Sequence, residues 1–219
     1  MKITIITEDS GVKLPKIDRY RGTIGRGFKL SEHRELNNIL KKNKISIPSD
    51  DIEKEEFYKK KLDDFVRPAK LMFAGMFSEV RVFYEDLKKN YDIDLFITSG
   101  RYGLINCELK IVPYDFHLKD HELIVELDKK TCFFNKIIEV TKSSDFVIIL
   151  LNSNISSYLF DKHILEKLNN DAKSIFVCSS EFKDKIIESG NIFLQKTGVA
   201  RIAEINRKSI KELFGGKNG

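Results

Sequence analysis

Phe146-Val147-Ile148-Ile149-Leu150-Leu151-Asn152-Ser153-Asn154 decides the fold. An unbroken apolar run with β-branched residues at its centre, and no polar alternation, is what a strand covered on both faces looks like, and such strands belong to parallel sheets. It stops abruptly in small polar residues, where open α/β proteins place ligand sites. Outward from it, Ile3-Thr4-Ile5-Ile6, the apolar run Ile93, Leu95, Phe96 and Ile97, Ser174 to Cys178, and Ile192-Phe193-Leu194 read as further strands. Helical periodicity fills the gaps. Phe73, Met76, Phe77, Val80, Phe83, Tyr84 and Leu87 recur at three- and four-residue steps and predict one helix from Ala69 to Lys89. Cys132 to Val140, a stretch carrying Leu159, Phe160, Ile164, Leu165 and Leu168, a segment from Glu181, and Asn206 to Phe214 predict others. His121 to Leu127 alternates apolar and polar residues and predicts a short strand.

Strand and helix alternation of this kind predicts an α/β fold, a mostly parallel sheet with helices on both faces. A single domain over 1–219 is expected, with a basic loop and a helical N-terminal insertion at about 8–90. Ser31 and Ser49 are the expected helix caps there, and Pro68 the expected break.

At 219 residues and 42% hydrophobic composition the chain can bury a core of its own. Cys107, Cys132 and Cys178 are too few and too scattered for a disulfide framework and include no CxxC pair, which points to a reducing cytoplasm. No apolar run approaches the ~20 residues of a membrane helix, and no leader precedes the first strand, so the expectation is a soluble, untargeted, cytoplasmic protein that does not enter a membrane. The formal net charge of +5 is unevenly spread: residues 1–46 hold eleven Lys and Arg against five Asp and Glu, and the remainder is close to neutral. Arg19, Arg21, Arg26 and Lys29, interleaved with Tyr20, Phe28 and glycines, form a candidate nucleic-acid-binding stretch for DNA or RNA; the alternative is a solvated basic loop.

The chemistry is concentrated after the strand that ends at Thr98. Ser99-Gly100-Arg101-Tyr102-Gly103 lets the backbone turn tightly while presenting a guanidinium and a phenol, and Tyr114, Asp115, His117, Asp120 and His121 follow within one loop length. Arg101 is read as the anchor for a phosphate, Tyr102 or Tyr114 as a stacking surface for a base, and Gly103 as room for a ligand. Asp115, His117 and Ser99 are the candidate catalytic groups: a carboxylate to polarise water or offset positive charge on a sugar, an imidazole to shuttle a proton, and a hydroxyl beside them. If the strands at 93–98, 146–151 and 174–178 are neighbours, Asn152, Ser153, Asn154, Ser179 and Ser180 join the same rim, Asn152 and Ser153 as substrate contacts. The plain reading of these residues is turn, cap and surface.

Other chemistries are set aside by motif. GxxxxGK[ST], GxGxxG after a strand, GxSxG and HExxH do not occur, and no zinc signature is present, so no cofactor and no metal is assigned.

The segment Pro68-Ala69-Lys70-Leu71-Met72-Phe73-Ala74-Gly75-Met76-Phe77, with Leu95-Phe96-Ile97-Thr98-Ser99-Gly100-Arg101-Tyr102-Gly103-Leu104-Ile105 and Val112-Pro113-Tyr114-Asp115, resembles the YaaA-like family. With Glu108-Leu109 it is also similar to a domain of archaeosine synthase-type proteins, which act on 7-deazaguanine in transfer RNA. The resemblance covers residues 68–117, and departs at Gly100, where the pattern has alanine, and at Phe73, where tyrosine is usual. It implies an α/β fold and nucleic-acid or nucleobase chemistry, and by position nominates Ser99, Arg101, Tyr102 and Tyr114.

The expected function is accordingly a nucleobase or nucleotide pocket at the C-terminal strand ends, in an enzyme that hydrolyses an N-glycosidic bond or transfers a base. A non-catalytic DNA-binding stress or defence protein and a sensor of a nucleotide signal stand as alternatives. Oligomeric state is left open.

Overall fold

In the computed structural model the described residues are 1–16, 29–169, 171–198 and 201–215. Among them the strands are β1 (Lys2–Glu8), β2 (Arg67–Pro68), β3 (Asp92–Ser99), β4 (Gly103–Asn106), β5 (Lys110–Ile111), β6 (Phe146–Leu150), β7 (Lys173–Cys178) and β8 (Ile192–Gln195). The helices are α1 (Arg34–Asn43), α2 (Glu55–Lys61), α3 (Ala69–Met72), α4 (Phe77–Leu87), α5 (His121–Thr131), α6 (Phe133–Thr141), α7 (Ser153–Asp161), α8 (Ile164–Lys167), α9 (Lys183–Glu188) and α10 (Glu204–Gly215). Six strands form one sheet in the order β4-β3-β1-β6-β7-β8, and β2 and β5 make a separate antiparallel pair. The sheet is mostly parallel: β1, β6, β7 and β8 pair parallel in succession, while β4 returns antiparallel on β3. The α/β architecture expected from the apolar runs is the one observed.

The chain forms two compact units, one of residues 1–7, 79–95 and 134–219, the other of residues 8–78 and 96–133. In the first, Phe146, Val147, Ile148, Ile149 and Leu150 are all buried, as a strand without polar alternation requires. Phe146 meets Phe214 of α10 edge to face at 4.9 Å, and Phe160 stacks on Phe182 at 4.6 Å. Beyond the carboxyl ends of its strands, Asn152 caps α7 by accepting from Ile155 N at 2.9 Å, Ser153 opens that helix on the surface, and Ser179 donates to Glu181. The second unit has a core of Leu30, Leu36, Leu40, Tyr58, Leu62, Phe65 and Val112, lined by Ile39, Ile45, Ile47 and Val66.

Several local expectations change. His121–Leu127 is not a strand: Asp120 accepts from Leu123 N at 3.0 Å and starts α5, which buries Ile124 and Leu127, three residues apart, on one side. The long helix over 69–89 is two helices, α3 and α4, parted where Gly75 takes φ +61°. The first of the expected caps moves as well. His33 rather than Ser31 accepts from the first turn of α1, through Nδ1 to Leu36 N at 3.2 Å. Ser49 begins no helix; its carbonyl and the carboxylate of Asp51 accept from Arg101 instead. Among the described residues no helix is long and apolar enough to cross a membrane.

Candidate active site

β1 delivers Asp9 at its carboxyl end, and β3 delivers Ser99 and Gly100 at its own. Asp9 N donates to Thr98 O at 3.0 Å, and Gly100 N donates back to Asp9 Oδ2 at 3.1 Å, so the backbone itself holds this carboxylate against the turn. Tyr114 arrives from the loop after β5, wholly buried, and its hydroxyl also donates to Asp9 Oδ2. Since that hydroxyl has only one proton to give, its 2.7 Å contact with Ser99 must be accepted from Ser99 Oγ, which in turn accepts from Tyr102 N at 3.2 Å. The result is one directed chain, Tyr102 N–H to Ser99 to Tyr114 to the Asp9 carboxylate. Burial and the neighbouring Asp9 charge push the Tyr114 phenol well above its ordinary value, so it stays a proton donor in this chain.

The loop carrying Tyr114 is pressed onto the strand ends at two glycines. A methyl on Gly100 would stand 2.9 Å from the Phe116 carbonyl oxygen, and one on Gly11 would stand 3.3 Å from His117 Cε1. Asp115 N is tied to Pro48 O at 2.8 Å. His117 Nε2 and Asp115 Oδ1 lie 3.1 Å apart, with the side chains 34% and 53% exposed, so this pair meets solvent while Ser99 and Tyr114 do not. Beneath the loop Lys13 is fully buried, its ammonium donating to Ser10 O at 3.1 Å and standing 4.6 Å from the centre of the Tyr114 ring. Burial pushes this amine down, and the Asp9 and Asp115 charges oppose the push. Asp9, Lys13, Ser99, Tyr114, Asp115 and His117 thus converge within one compact unit.

Arg101 and Tyr102 belong to a second array beside the first. The guanidinium makes five hydrogen bonds, to Ser49 O, Asp51 O, Asp51 Oδ1 and twice to Glu55 Oε2, so every N–H it possesses is taken by residues 49–55. It has no donor left for a phosphate. Tyr102 donates to Glu55 and accepts from Val112 N at 3.3 Å, and its ring meets that of Tyr114 edge to face at 5.5 Å. Tyr58 donates to the other oxygen of Asp51 at 2.6 Å. Burial works against ionisation of Asp51, but the bonds from Tyr58, Arg101, Ser49 N and Lys54 outweigh it and hold the carboxyl well below its ordinary value. Burial, with Asp51 adding to it, pushes the Tyr58 phenol up to about 12.

The Arg101 guanidinium and the two phenols are therefore neighbours, Arg101 packing on the Tyr102 ring and Tyr102 on that of Tyr114. A small hollow of about 60 Å³ lies between the Gly100-Arg101 turn, Phe116, Asp50 and α5; Arg101 lines it, and Tyr102 and Tyr114 do not. Gly103 serves α5 as well: its φ is +69°, and a methyl there would stand 2.4 Å from Thr131 Oγ1. Asn152 and Ser153 lie in the other compact unit. Of the basic stretch, Arg19, Arg21 and Arg26 lie outside the described residues, and Lys29 is exposed. Among the described residues no group of three or more His, Cys, Asp or Glu is placed to hold a metal ion.

Two residues of the cluster, Asp9 and Lys13, were not singled out in the sequence. The signal was present. Glu8-Asp9-Ser10-Gly11 follows an apolar strand with the same small, polar, glycine-bearing character as Ser99-Gly100. No protein-family model, curated protein or solved structure matches the chain.

Proposed function

We propose that this chain is a cytoplasmic enzyme of nucleic-acid metabolism that breaks or exchanges the N-glycosidic bond of a nucleoside, nucleotide or nucleic acid. The observation that carries the reading is a solvent-facing Asp115–His117 pair on the loop that packs against Gly11, just past β1, where a second carboxylate, Asp9, is braced by the donors Gly100 N and Tyr114. Glycosidic cleavage needs this division of labour: one group to move a proton and one fixed negative charge to offset the positive charge that grows on the sugar. His117, oriented by Asp115, takes a proton from the attacking water as its oxygen bonds to the anomeric carbon, and returns it to the base nitrogen as the carbon–nitrogen bond breaks. Asp9 supplies the fixed charge. The resemblance over residues 68–117 supports the nucleobase side of the assignment. Arg101 and Tyr102 hold the wall of the site rather than the ligand.

The test is release of free base, followed chromatographically, from nucleosides, nucleotides, DNA and RNA. Asp115→Asn and His117→Ala are each expected to lower it by about a hundredfold or more. No release from any substrate, or release undiminished in Asp115→Asn, would overturn the proposal.

A further inference from the structure

α1 has two unlike sides. Leu36 and Leu40 are buried, and Ile39 packs on the same core as Tyr58 and Phe65. On the side away from that core, at the three- and four-residue steps of a helix, Arg34, Asn38, Lys41 and Lys42 are all exposed. The helix holds one carboxylate, Glu35, and it is already engaged, with Lys16 Nζ 2.6 Å from its Oε1. Arg34, Lys41 and Lys42 make no ion pair and no side-chain hydrogen bond among the described residues. Lys44 follows, exposed, at the end of the helix, and between residues 29 and 46 the only other acid is Glu32, in the turn before α1. From Arg34 to Lys42 the row of cations is about 12 Å long.

Helix electrostatics accounts for part of this row. Lys41 and Lys42 stand in the last turn, where the macrodipole favours a cation. Arg34 stands in the first turn, where the same dipole disfavours one, and no carboxylate pairs with it there. A partner that is negative along its length satisfies both ends. We infer that this face of α1 holds the phosphate backbone of a duplex nucleic acid. The row spans about three to four nucleotides of one strand at ~3.4 Å each, so each cation has a phosphate within reach. The helix carries no aromatic residue, whereas single strands are gripped by stacking as well as charge, so a duplex, whose bases are already stacked, fits better. An anionic membrane is met by helices that set apolar residues beside their cations, and the exposed face here has none. Such contacts position a duplex without reading its sequence. The inference rests on the proposed function for its purpose, selecting the nucleic-acid substrate over a free nucleoside, and α1 belongs to the same compact unit as Asp9, Asp115 and His117.

The measurement is fluorescence anisotropy of labelled DNA and RNA duplexes of about 20 base pairs, and of one separated strand, titrated with the full chain at several salt concentrations. Duplex affinity is expected to fall about 40-fold or more between about 50 and 200 mM salt, as three phosphate contacts require. Arg34→Gln, Lys41→Gln and Lys42→Gln are each expected to flatten the slope of log affinity against log salt by about 0.9, and Arg34→Lys to preserve it, since a phosphate answers to the charge. Lys183→Gln, an equal loss of charge at an exposed position of α9, is the control and should leave the slope unchanged. Binding to neither duplex, a single strand bound more tightly than both, preference for vesicles of anionic lipid, or a slope that Lys183→Gln flattens as much as the α1 variants do would each overturn the inference. Base release is not measured here: release from free nucleosides without duplex binding defeats this inference and leaves the proposed function, and duplex binding without release does the reverse.

Discussion

At the scale of single residues the site is built from groups whose purpose depends on one neighbour. Gly103 is the clearest case. Its positive φ, and the overlap that an added Cβ would make with Thr131 Oγ1, mean that any side chain strains the turn and pushes α5. Gly103→Ala should lower stability by about 1–3 kcal/mol, read as a fall in the urea midpoint at unchanged slope. Tyr114→Phe deletes one oxygen that serves both Ser99 and Asp9 and leaves the buried Ser99 hydroxyl and the half-buried Asp9 carboxylate each with one partner fewer. A loss of about 1–3 kcal/mol is expected, with reduced base release. A full-length Tyr114→Phe as stable as the parent would show that the hydroxyl chain is idle. The sequence marked Ser99, Tyr114, Asp115 and His117 through crowding after a strand. It had no means of showing that Gly103 answers to a threonine 28 positions away or that Lys13 points inward.

At the scale of elements the decisive contact is Arg101 with the 49–55 segment. Its side chain is fully buried, and Asp51 and Glu55 are only 17% and 14% exposed, so removing the cation strands two carboxylates in a poorly solvated place. Arg101→Met should destabilise the protein by about 3 kcal/mol or more, measured by denaturant unfolding. The same array sets an acid response. Because the folded Asp51 carboxyl lies below its unfolded value, its contribution is complete above the ordinary aspartate range, about pH 4, and drains away as pH falls below that. Unfolding midpoints measured from pH 5 to pH 3 should therefore decline in the unaltered protein and decline less in Asp51→Asn; equal slopes would refute the assignment. Sequence periodicity located β6, β7 and α10 because each buries a pattern that its own residues carry. It failed for α5, where the alternation of His121–Leu127 suited a strand and the Asp120 cap with burial of Ile124 and Leu127 decided for a helix.

At the scale of the whole molecule the two compact units are interleaved in the chain, which passes between them after residues 7, 78, 95 and 133. Neither unit is contiguous, so no single cut yields either one complete. A fragment of residues 1–95 lacks 96–133 of one unit and 134–219 of the other, and should remain unfolded by circular dichroism and amide chemical-shift dispersion; a folded fragment would contradict this division.

The sequence by itself determined the α/β class, because strands buried on both faces must be apolar throughout and this requirement is written residue by residue in 146–150. It also determined that polar chemistry gathers after β3. Only the tertiary structure decided which polar groups meet: that Arg101 turns to Asp51 and Glu55, and that Asp9 and Lys13 join Ser99, Tyr114, Asp115 and His117. The reason is one of range. Burial periodicity is a local property of consecutive residues, whereas a hydrogen bond or ion pair between positions 9 and 114, or 51 and 101, exists only once the intervening chain has folded.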